Sequence, residues 1–135
     1  MERKKAQIMS FMQLGDDRGK LVAIEGNNDI PFEISRIFYI YGTQKDVVRG
    51  QHANRRSEFV LVNVNGTSKV KVDYGVSQEV FELNEPYTAL FLPNMVWKDM
   101  YDFSDDSVLL VLSNEKYDAD EYIRDYKQYL DEIKE

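Results

Sequence analysis

The side chains best suited to chemistry lie in one short stretch, "RGQHANRRSEF" at positions 49–59, which holds the only histidine of the 135 residues. His52 and Asn54 stand two positions apart, and Glu58 follows shortly after them. Alternation along a β-strand would put these three side chains on one face, where they could share a cavity. Such a set suits either a metal centre or a site for proton transfer.

A metal centre is the weaker of these two interpretations. Asparagine is a poor neutral ligand, and one histidine with one glutamate is too few for a tight transition-metal site. A later segment, "PNMVWKD", offers Lys98 rather than a further histidine, and an ammonium group repels a divalent cation. The chain has no cysteine, which excludes a thiolate site. We therefore predict no metal and no cofactor, and we interpret His52 as an acid–base group.

The elements that must position these residues are short strands. Runs rich in β-branched and aromatic residues, bounded by turn residues, predict strands at 20–26, 34–42, 58–75, 78–84, 87–93, 95–103 and 107–114. Asn65-Gly66 predicts a hairpin turn inside the third run. Evenly spaced strands of this kind are typical of a sandwich or barrel.

The last twenty residues follow a different pattern. Asp118 and Glu121 resemble a capping box, which predicts a helix from about Asp118. Its apolar face would be formed by residues at helical spacing, namely Tyr122, Tyr126, Tyr129 and Ile133. The sequence therefore predicts an all-β domain with a C-terminal α-helix.

Composition limits the class of protein. The chain is 43% hydrophobic and 13% aromatic, which is typical of one folded domain spanning 1–135. Its net charge of −7 argues against a nucleic-acid partner, because such a partner needs a basic face. No apolar run is long enough to cross a membrane, and the start lacks the apolar core of a signal peptide. We expect a cytoplasmic protein.

Three blocks of the sequence carry a family resemblance: "RG-x-HA", "VW-x-x-MYDFS" and "YD-x-x-x-YIRDY". With the runs between them, they resemble the sugar 3,4-ketoisomerases, metal-free cupins that act on dTDP-4-keto-6-deoxyglucose, over nearly the whole chain. The resemblance implies a cupin-like jelly roll of two antiparallel sheets that forms a homodimer. It also implies a role in making 3-amino-3,6-dideoxy sugars of bacterial surface glycans.

The chemistry of that reaction assigns expected roles. Moving a ketone from C4 to C3 needs a base for the C3 proton, an acid for C4, and an exchange of protons between O3 and O4. His52 would serve both carbon atoms, with activity following one ionisation near the imidazole range. Tyr39, which matches a tyrosine of the family, could relay the oxygen proton. Asn54 could bond a sugar oxygen, and Arg49 could bind the diphosphate.

Four further residues are expected at the substrate: Arg18, Glu58, Trp97 and Lys98. Each also has an ordinary structural alternative. Arg18 could be a turn residue, and Trp97 could belong to the core rather than stack on the thymine. Arg49 could likewise be a solvated charge at a strand end.

The chain departs from the family at two of these positions. The family pattern is His-Ala-His, with both histidines facing the sugar, and this chain has Asn54 in the second place. Lys98 stands where the family often has histidine or arginine. Either one histidine suffices, or the activity has drifted or been lost. The alternative function is a non-catalytic cupin that binds a nucleotide sugar as a sensor or partner subunit.

Overall fold

Antiparallel strands make up most of the computed structural model, which describes residues 4–134. The first sheet has the order β1 (Gln7–Ser10), β9 (Thr88–Leu92), β6 (Phe59–Asn65), β11 (Val108–Ser113) and β4 (Arg36–Tyr41). The second has the order β12 (Tyr122–Ile123), β5 (Arg49–Asn54), β10 (Trp97–Tyr101), β7 (Ser68–Asp73) and β8 (Gln78–Leu83). A separate hairpin joins β2 (Leu14–Asp16) to β3 (Gly19–Leu21). Helix α1 (Tyr126–Ile133) follows the last strand, so the predicted two-sheet all-β class is confirmed.

The local signals in the sequence explain most of these strands. In β7 the residues Ser68, Val70 and Val72 are buried, while the lysines between them are partly exposed. That alternation is what a sheet with one face on the core requires. The turn between β6 and β7 contains Gly66 at φ +67°, as the Asn-Gly pair predicts.

The main core lies between the two sheets. Apolar side chains from both inner faces meet there, among them Leu61, Val70, Leu90, Phe103 and Leu109. A second apolar cluster covers the outer face of the first sheet, where Phe11, Ile30 and Phe32 pack on Val60 and Phe91. Sequestering both faces of the central strand β6 explains why its residues Phe59 to Asn63 are all buried.

The C-terminal helix begins later than the sequence predicts. Asp118 does act as a cap, but only for a 3-10 turn over Ala119–Glu121, where its side chain accepts a hydrogen bond from the backbone of Asp120. Tyr122 and Ile123 are then extended and pair with β5 as strand β12. The helix prediction from Asp118 is therefore wrong: the edge of the second sheet takes Tyr122 and Ile123, and α1 begins at Tyr126.

Helix α1 covers the outer face of the second sheet. Tyr129 is fully buried beside Ala53, Trp97 and Ile123. Its hydroxyl lies 3.0 Å from the carbonyl of Asp73, to which it donates. No helix in residues 4–134 is long and apolar enough to cross a membrane.

Candidate active site

A cavity of about 230 Å³ opens between the two sheets at one end of the core. Strands β4, β5, β6, β10, β11 and β12 contribute its walls. The lining residues are Phe38, Tyr39, Ile40, Arg49, Gly50, His52, Phe59, Leu61, Lys98, Met100, Val111 and Tyr122. Most of this wall is apolar, so the few charged groups in it stand in a poorly solvated environment.

A bulge in β5 brings Arg49 and His52 into the cavity together. Gly50 and Gln51 have positive φ values of 89° and 56°, and the pairing with β10 shifts register at this point. His52 pairs with Lys98, and Arg49 pairs with Met100 only two positions further along β10. The extra residue lets side chains three positions apart share one face.

The geometry of His52 favours a neutral base. Its Nδ1 lies 3.0 Å from the carbonyl oxygen of Gly50. A carbonyl can only accept, so Nδ1 carries the proton and Nε2 keeps its lone pair. Burial, with the nearby charge of Lys98, lowers the pKa of His52 to about 3, although the bond to Gly50 acts in the opposite direction. The imidazole is therefore unprotonated at neutral pH, as a carbon base must be at the start of a reaction.

Lys98 is the most deeply buried charged group of the cavity, with 5% of the residue exposed. Its Nζ donates to Oδ1 of Asn54 at 3.0 Å and lies 4.7 Å from the centre of the Phe59 ring. Burial lowers the pKa of Lys98 to about 7, while the carboxylate of Glu121 acts to raise it. Of these two groups, Lys98 is the one whose pKa lies near the ordinary imidazole range.

A buried carboxylate, that of Glu121, is connected to this lysine through Asn54. Glu121 is 1% exposed, and it accepts hydrogen bonds from Asn54 Nδ2 at 3.2 Å and from the backbone of Arg56 and Ser57. The hydroxyl of Ser57 also donates to it. Burial alone would raise the pKa of Glu121, but these donors outweigh it and hold the pKa below its usual range. Lys98, Asn54 and Glu121 thus form one hydrogen-bonded chain.

Arginine and tyrosine side chains adjoin this cavity. The centre of the Tyr122 ring lies 4.8 Å from that of the His52 ring and 5.7 Å from that of the Tyr117 ring. The guanidinium carbon of Arg124 lies 4.6 Å from the centre of the Tyr122 ring. The guanidinium carbon of Arg36 lies 5.1 Å from the centre of the Phe38 ring and 5.6 Å from the centre of the Tyr117 ring. Within residues 4–134, the buried Nε and Nη2 of Arg36 have no hydrogen-bond partner. An unsatisfied guanidinium of this kind is suited to an anionic ligand.

Two predicted site residues lie away from the cavity interior. Tyr39 borders the cavity, but it is 61% exposed. Its ring stacks on that of Tyr41 on the outer face of β4, with the ring centres 6.0 Å apart. Its phenol is therefore poorly placed for an oxygen relay. Arg18 lies in the β2–β3 turn with its side chain 90% exposed, and it pairs with Asp16 at 2.7 Å.

The structure also places Trp97 and Glu58 outside the cavity lining, and for Trp97 it agrees with the core alternative. Trp97 is buried on the other face of β10 from Lys98. There it packs on Tyr126 and Tyr129, with distances between ring centres of 5.2 and 5.7 Å. It belongs to the core beneath α1, because neighbouring positions of a strand face opposite ways. Glu58 follows the end of β5 instead of sharing its face, and its carboxylate lies 3.5 Å from Lys4.

Within the part of the chain that the structure describes, no three histidine, aspartate or glutamate side chains converge to hold a metal ion. His52 and Asn54 do share the inner face of β5, as the sequence predicts. However, the carboxylate that joins them is Glu121, which comes from 67 positions away along the chain.

Sequence reasoning missed Glu121, Tyr122 and Arg36 as site residues. The signal for Glu121 was misleading, because its spacing from Asp118 is that of a capping box. Tyr122 was assigned to the helix face. Arg36 begins the "RIFYI" run, which also contains Tyr39 and resembles a strand of the family. That motif could therefore have indicated Arg36 as a site residue.

Comparison with known proteins gives a consistent result. The family model described as "FdtA: WxcM-like, C-terminal" matches residues 4–134. A TDP-4-oxo-6-deoxy-alpha-D-glucose-3,4-oxoisomerase of Aneurinibacillus thermoaerophilus is 41% identical over 136 residues, covering 98% of this chain and 96% of the relative.

Solved structures agree in fold along almost the full length. A mutant of the 3,4-ketoisomerase QdtA from Thermoanaerobacterium thermosaccharolyticum, in complex with TDP-4-keto-6-deoxyglucose, superposes with a TM-score of 0.94 at 37% identity, covering 97% of this chain and 95% of that one. A 3,4-ketoisomerase from Helicobacter canadensis gives a TM-score of 0.94 at 38% identity, with coverage of 97% and 98%. These matches confirm the predicted cupin-like fold and the resemblance to the sugar 3,4-ketoisomerases. The chain belongs to the FdtA family.

Proposed function

We propose that this protein is a 3,4-ketoisomerase that moves the ketone of a TDP-linked 4-keto-6-deoxy sugar from C4 to C3 through an enediol. The observation that carries the proposal is the part-buried, neutral His52, whose Nδ1 bonds the Gly50 carbonyl and so leaves the lone pair on Nε2. A protein that only binds a sugar has no need for a proton acceptor in an apolar cavity. The curated relative and the solved relatives described above are named for this reaction.

The size of the cavity fits one part of such a substrate. At about 230 Å³ it is smaller than pockets that enclose a whole drug-sized ligand, which run from roughly 300 to 1,000 Å³. The sugar ring would therefore occupy the cavity, and the nucleotide would extend beyond its mouth. The candidate ligands for the diphosphate are Arg49, which lines the cavity, and Arg36, two of whose nitrogen atoms have no hydrogen-bond partner among residues 4–134.

The reaction is tested by incubating the wild-type protein with TDP-4-keto-6-deoxyglucose in heavy water. We expect a 3-keto product with deuterium at C4, observed by NMR, and deuterium entering C3 of the remaining substrate. The product would supply the ketone that a 3-aminotransfer step needs. If TDP binds but no deuterium enters either carbon atom, the alternative of a non-catalytic binding module is correct.

Binding is tested separately from chemistry. TDP should raise the melting temperature of the wild-type protein by mass action. Arg49→Ala should need at least about tenfold more TDP for the same shift, as expected for losing a charge-assisted phosphate contact. Lys127→Ala, at an exposed position of α1 outside the cavity lining, is the matched comparison. An equal loss in both variants would show that Arg49 is not a specific ligand, and no shift with wild-type protein would contradict both functions.

The proposal includes a homodimer. Ile37, Tyr39 and Tyr41 form an exposed row on the outer face of the edge strand β4, with exposures of 58%, 61% and 70%. The β2–β3 hairpin is exposed at every position and pairs only with itself. Burial of these apolar groups against a second copy would stabilise both elements. Arg18, in the hairpin turn, would then reach a cavity only across the subunit interface. A cytoplasmic location also stays a prediction.

A further inference from the structure

We propose that Lys98 is the second proton-transfer residue of this cavity, carrying a proton between the two sugar oxygens while His52 serves the two carbon atoms. Glu121, acting through Asn54, is the positioning residue for that lysine. This inference rests on the ketoisomerase function proposed above. It accounts for a buried lysine that neither the core nor the binding of a nucleotide requires.

The oxygen proton needs a carrier, and neither Asn54 nor Tyr39 is suited to that role. Asn54 cannot titrate, and the phenol of Tyr39 lies on the outer face of β4, stacked on Tyr41. Lys98 lies in the same cavity as His52 and directly opposite it in the β5–β10 register. It is therefore the remaining buried group of the cavity that can both donate and accept a proton near neutral pH.

The hydrogen-bond chain has a fixed direction. The Glu121 carboxylate can only accept, so the amide of Asn54 must turn its Nδ2 toward Glu121. The same amide then presents Oδ1 to Lys98, which donates to it at 3.0 Å. The chain thereby holds the lysine in place and stabilises its ammonium form. Reversing the amide would require a donor at position 121.

The proton transfers balance without an oxidant or an outside acid. His52 takes the proton from C3; the C–H electron pair forms the C3–C4 double bond, and O4 receives the carbonyl pair and a proton from the Lys98 ammonium. The neutral amine next takes the proton of the O3 hydroxyl, whose electron pair forms the C3 carbonyl. The double-bond pair takes the proton from His52 at C4. Both residues return to their starting states.

The charges facing Lys98 set its titration. From β5 the facing groups are His52 and Arg49, from the 3-10 turn Glu121, and from β12 Tyr122. The walls from β4, β6 and β11 are apolar, formed by Phe38, Ile40, Phe59, Leu61 and Val111, except that the phenol of Tyr39 borders the cavity from β4. With a pKa of about 7, Lys98 can hold either state at small cost, as a shuttle requires.

The first test replaces the lysine with a side chain of similar length that cannot carry a proton. Lys98→Met should lower product formation by roughly 100-fold or more, the usual contribution of a positioned acid–base group. Deuterium entry at C3 should fall less, because His52 still forms the enediolate, so the ratio of product to C3 exchange should drop at least about tenfold. Lys69→Met is the matched control, because Lys69 pairs with Asp102 outside the cavity. The ratio of product to C3 exchange should be unchanged in this variant.

A second variant separates charge from proton transfer. Lys98→Arg keeps a cation that can stabilise the oxyanion, but its guanidinium cannot give up a proton in a protein. Family members with arginine here have the His-Ala-His pattern, whereas this chain has Asn54 in place of the second histidine, so we expect product formation to stay as low as in Lys98→Met. Recovery to within about threefold of wild type would show that Lys98 acts only as a fixed charge, and the shuttle would be excluded.

The positioning role of Glu121 is tested by the pH profile. The reaction begins with neutral His52 and protonated Lys98, so kcat/KM should fall as pH rises through the pKa of Lys98 near 7. Glu121→Gln removes the charge that raises this pKa, and it should move the alkaline limb to lower pH. A purely structural role would reduce activity at all pH values and leave the limb in place.

Failure of this inference differs visibly from failure of the proposed function. A wild-type protein that neither exchanges deuterium nor makes product contradicts the ketoisomerase itself. A wild-type protein that makes product, together with a Lys98→Met variant whose product-to-exchange ratio is unchanged, overturns only the role of Lys98. TDP-induced stabilisation of each variant confirms that the cavity has folded.

Discussion

At the scale of single residues, the part-buried His52 and the buried Lys98 of the cavity have different pKa values, which suits them to the separate roles proposed for them. Burial lowers both: the pKa of His52 falls to about 3 and that of Lys98 to about 7. At neutral pH the imidazole is therefore a ready acceptor, and the lysine is available in both forms. Titratable neighbours whose environments separate their pKa values are a common arrangement for assigning base and acid.

The first prediction concerns the carbon base. His52→Asn should reduce deuterium exchange at both C3 and C4 by roughly 100-fold or more, because the two transfers share one imidazole. NMR in heavy water measures both positions. Gln51→Asn, on the neighbouring exposed position, is the control and should keep wild-type exchange. Exchange at C3 that survives in His52→Asn would assign the base to another group.

The second prediction concerns stability and pH. The folded pKa of Lys98, about 7, lies below the ordinary value of 10.5, so between these values the unfolded chain binds a proton that the folded chain lacks. The free energy of unfolding should therefore rise with pH across this window, by up to about 1.4 kcal/mol per pH unit from this group. Lys98→Met should remove this rise and be most stabilising, relative to wild type, at and below pH 7.

Urea unfolding at several pH values between 6.5 and 9.5 measures this difference. Lys69→Met, whose side chain is 38% exposed, corrects for the general effect of losing a lysine. A Lys98→Met variant with the same pH slope as this control would show that Lys98 is not a desolvated group in the folded protein.

At the scale of elements, the bulge in β5 is the feature that assembles the site. Gly50 has φ +89°, and a Cβ there would lie 3.0 Å from the carbonyl oxygen of Lys98 and 3.2 Å from Cε of Met100. The backbone therefore approaches β10 more closely than a larger residue permits. The same glycine supplies the carbonyl that fixes the tautomer of His52.

The third prediction follows from this close approach. Gly50→Ala should lower the free energy of unfolding by about 2–3 kcal/mol, combining an unfavourable φ with the contact against β10. Gly42→Ala is the matched control: φ is +71°, but no atom lies within 4 Å of the added Cβ, so only the cost of the φ value, about 1 kcal/mol, is expected. Urea unfolding compares the two. Equal losses would mean that β5 adapts to the added methyl group.

The limits of sequence reasoning are also clearest at this scale. Alternation and the Asn-Gly turn predicted β6 and β7, because those signals act between near neighbours. The bulge was not predicted, although an isolated glycine inside a strand, here Gly50, is a known signal for one. Glu121 was interpreted as a helix cap because its spacing from Asp118 fits one. Its actual partners, Asn54 and Ser57, are distant in sequence and are set by the pairing of β12 with β5.

For the whole molecule, the unequal covering of the outer faces is the informative feature. Helix α1 covers the second sheet, and residues 11–34 cover much of the first. The outer face of β4 stays open, although it carries Ile37, Tyr39 and Tyr41, and β4 is an edge strand. An exposed apolar edge strand promotes association unless it is protected, and no lysine or proline protects this one.

The last prediction is that this face is buried between two copies of the chain. Wild-type protein should sediment as a dimer at micromolar concentration, and the double variant Ile37→Lys with Tyr41→Lys should sediment as a monomer, because two charges would be buried at each copy of the interface. Val76→Lys, at a 95% exposed position in the turn before β8, is the control and should stay dimeric. A wild-type monomer, or a dimer that survives both lysines, would place the interface elsewhere or exclude it. The double variant leaves the cavity wall intact, so any loss of activity on dissociation would indicate that the partner, through a group such as Arg18, completes the site.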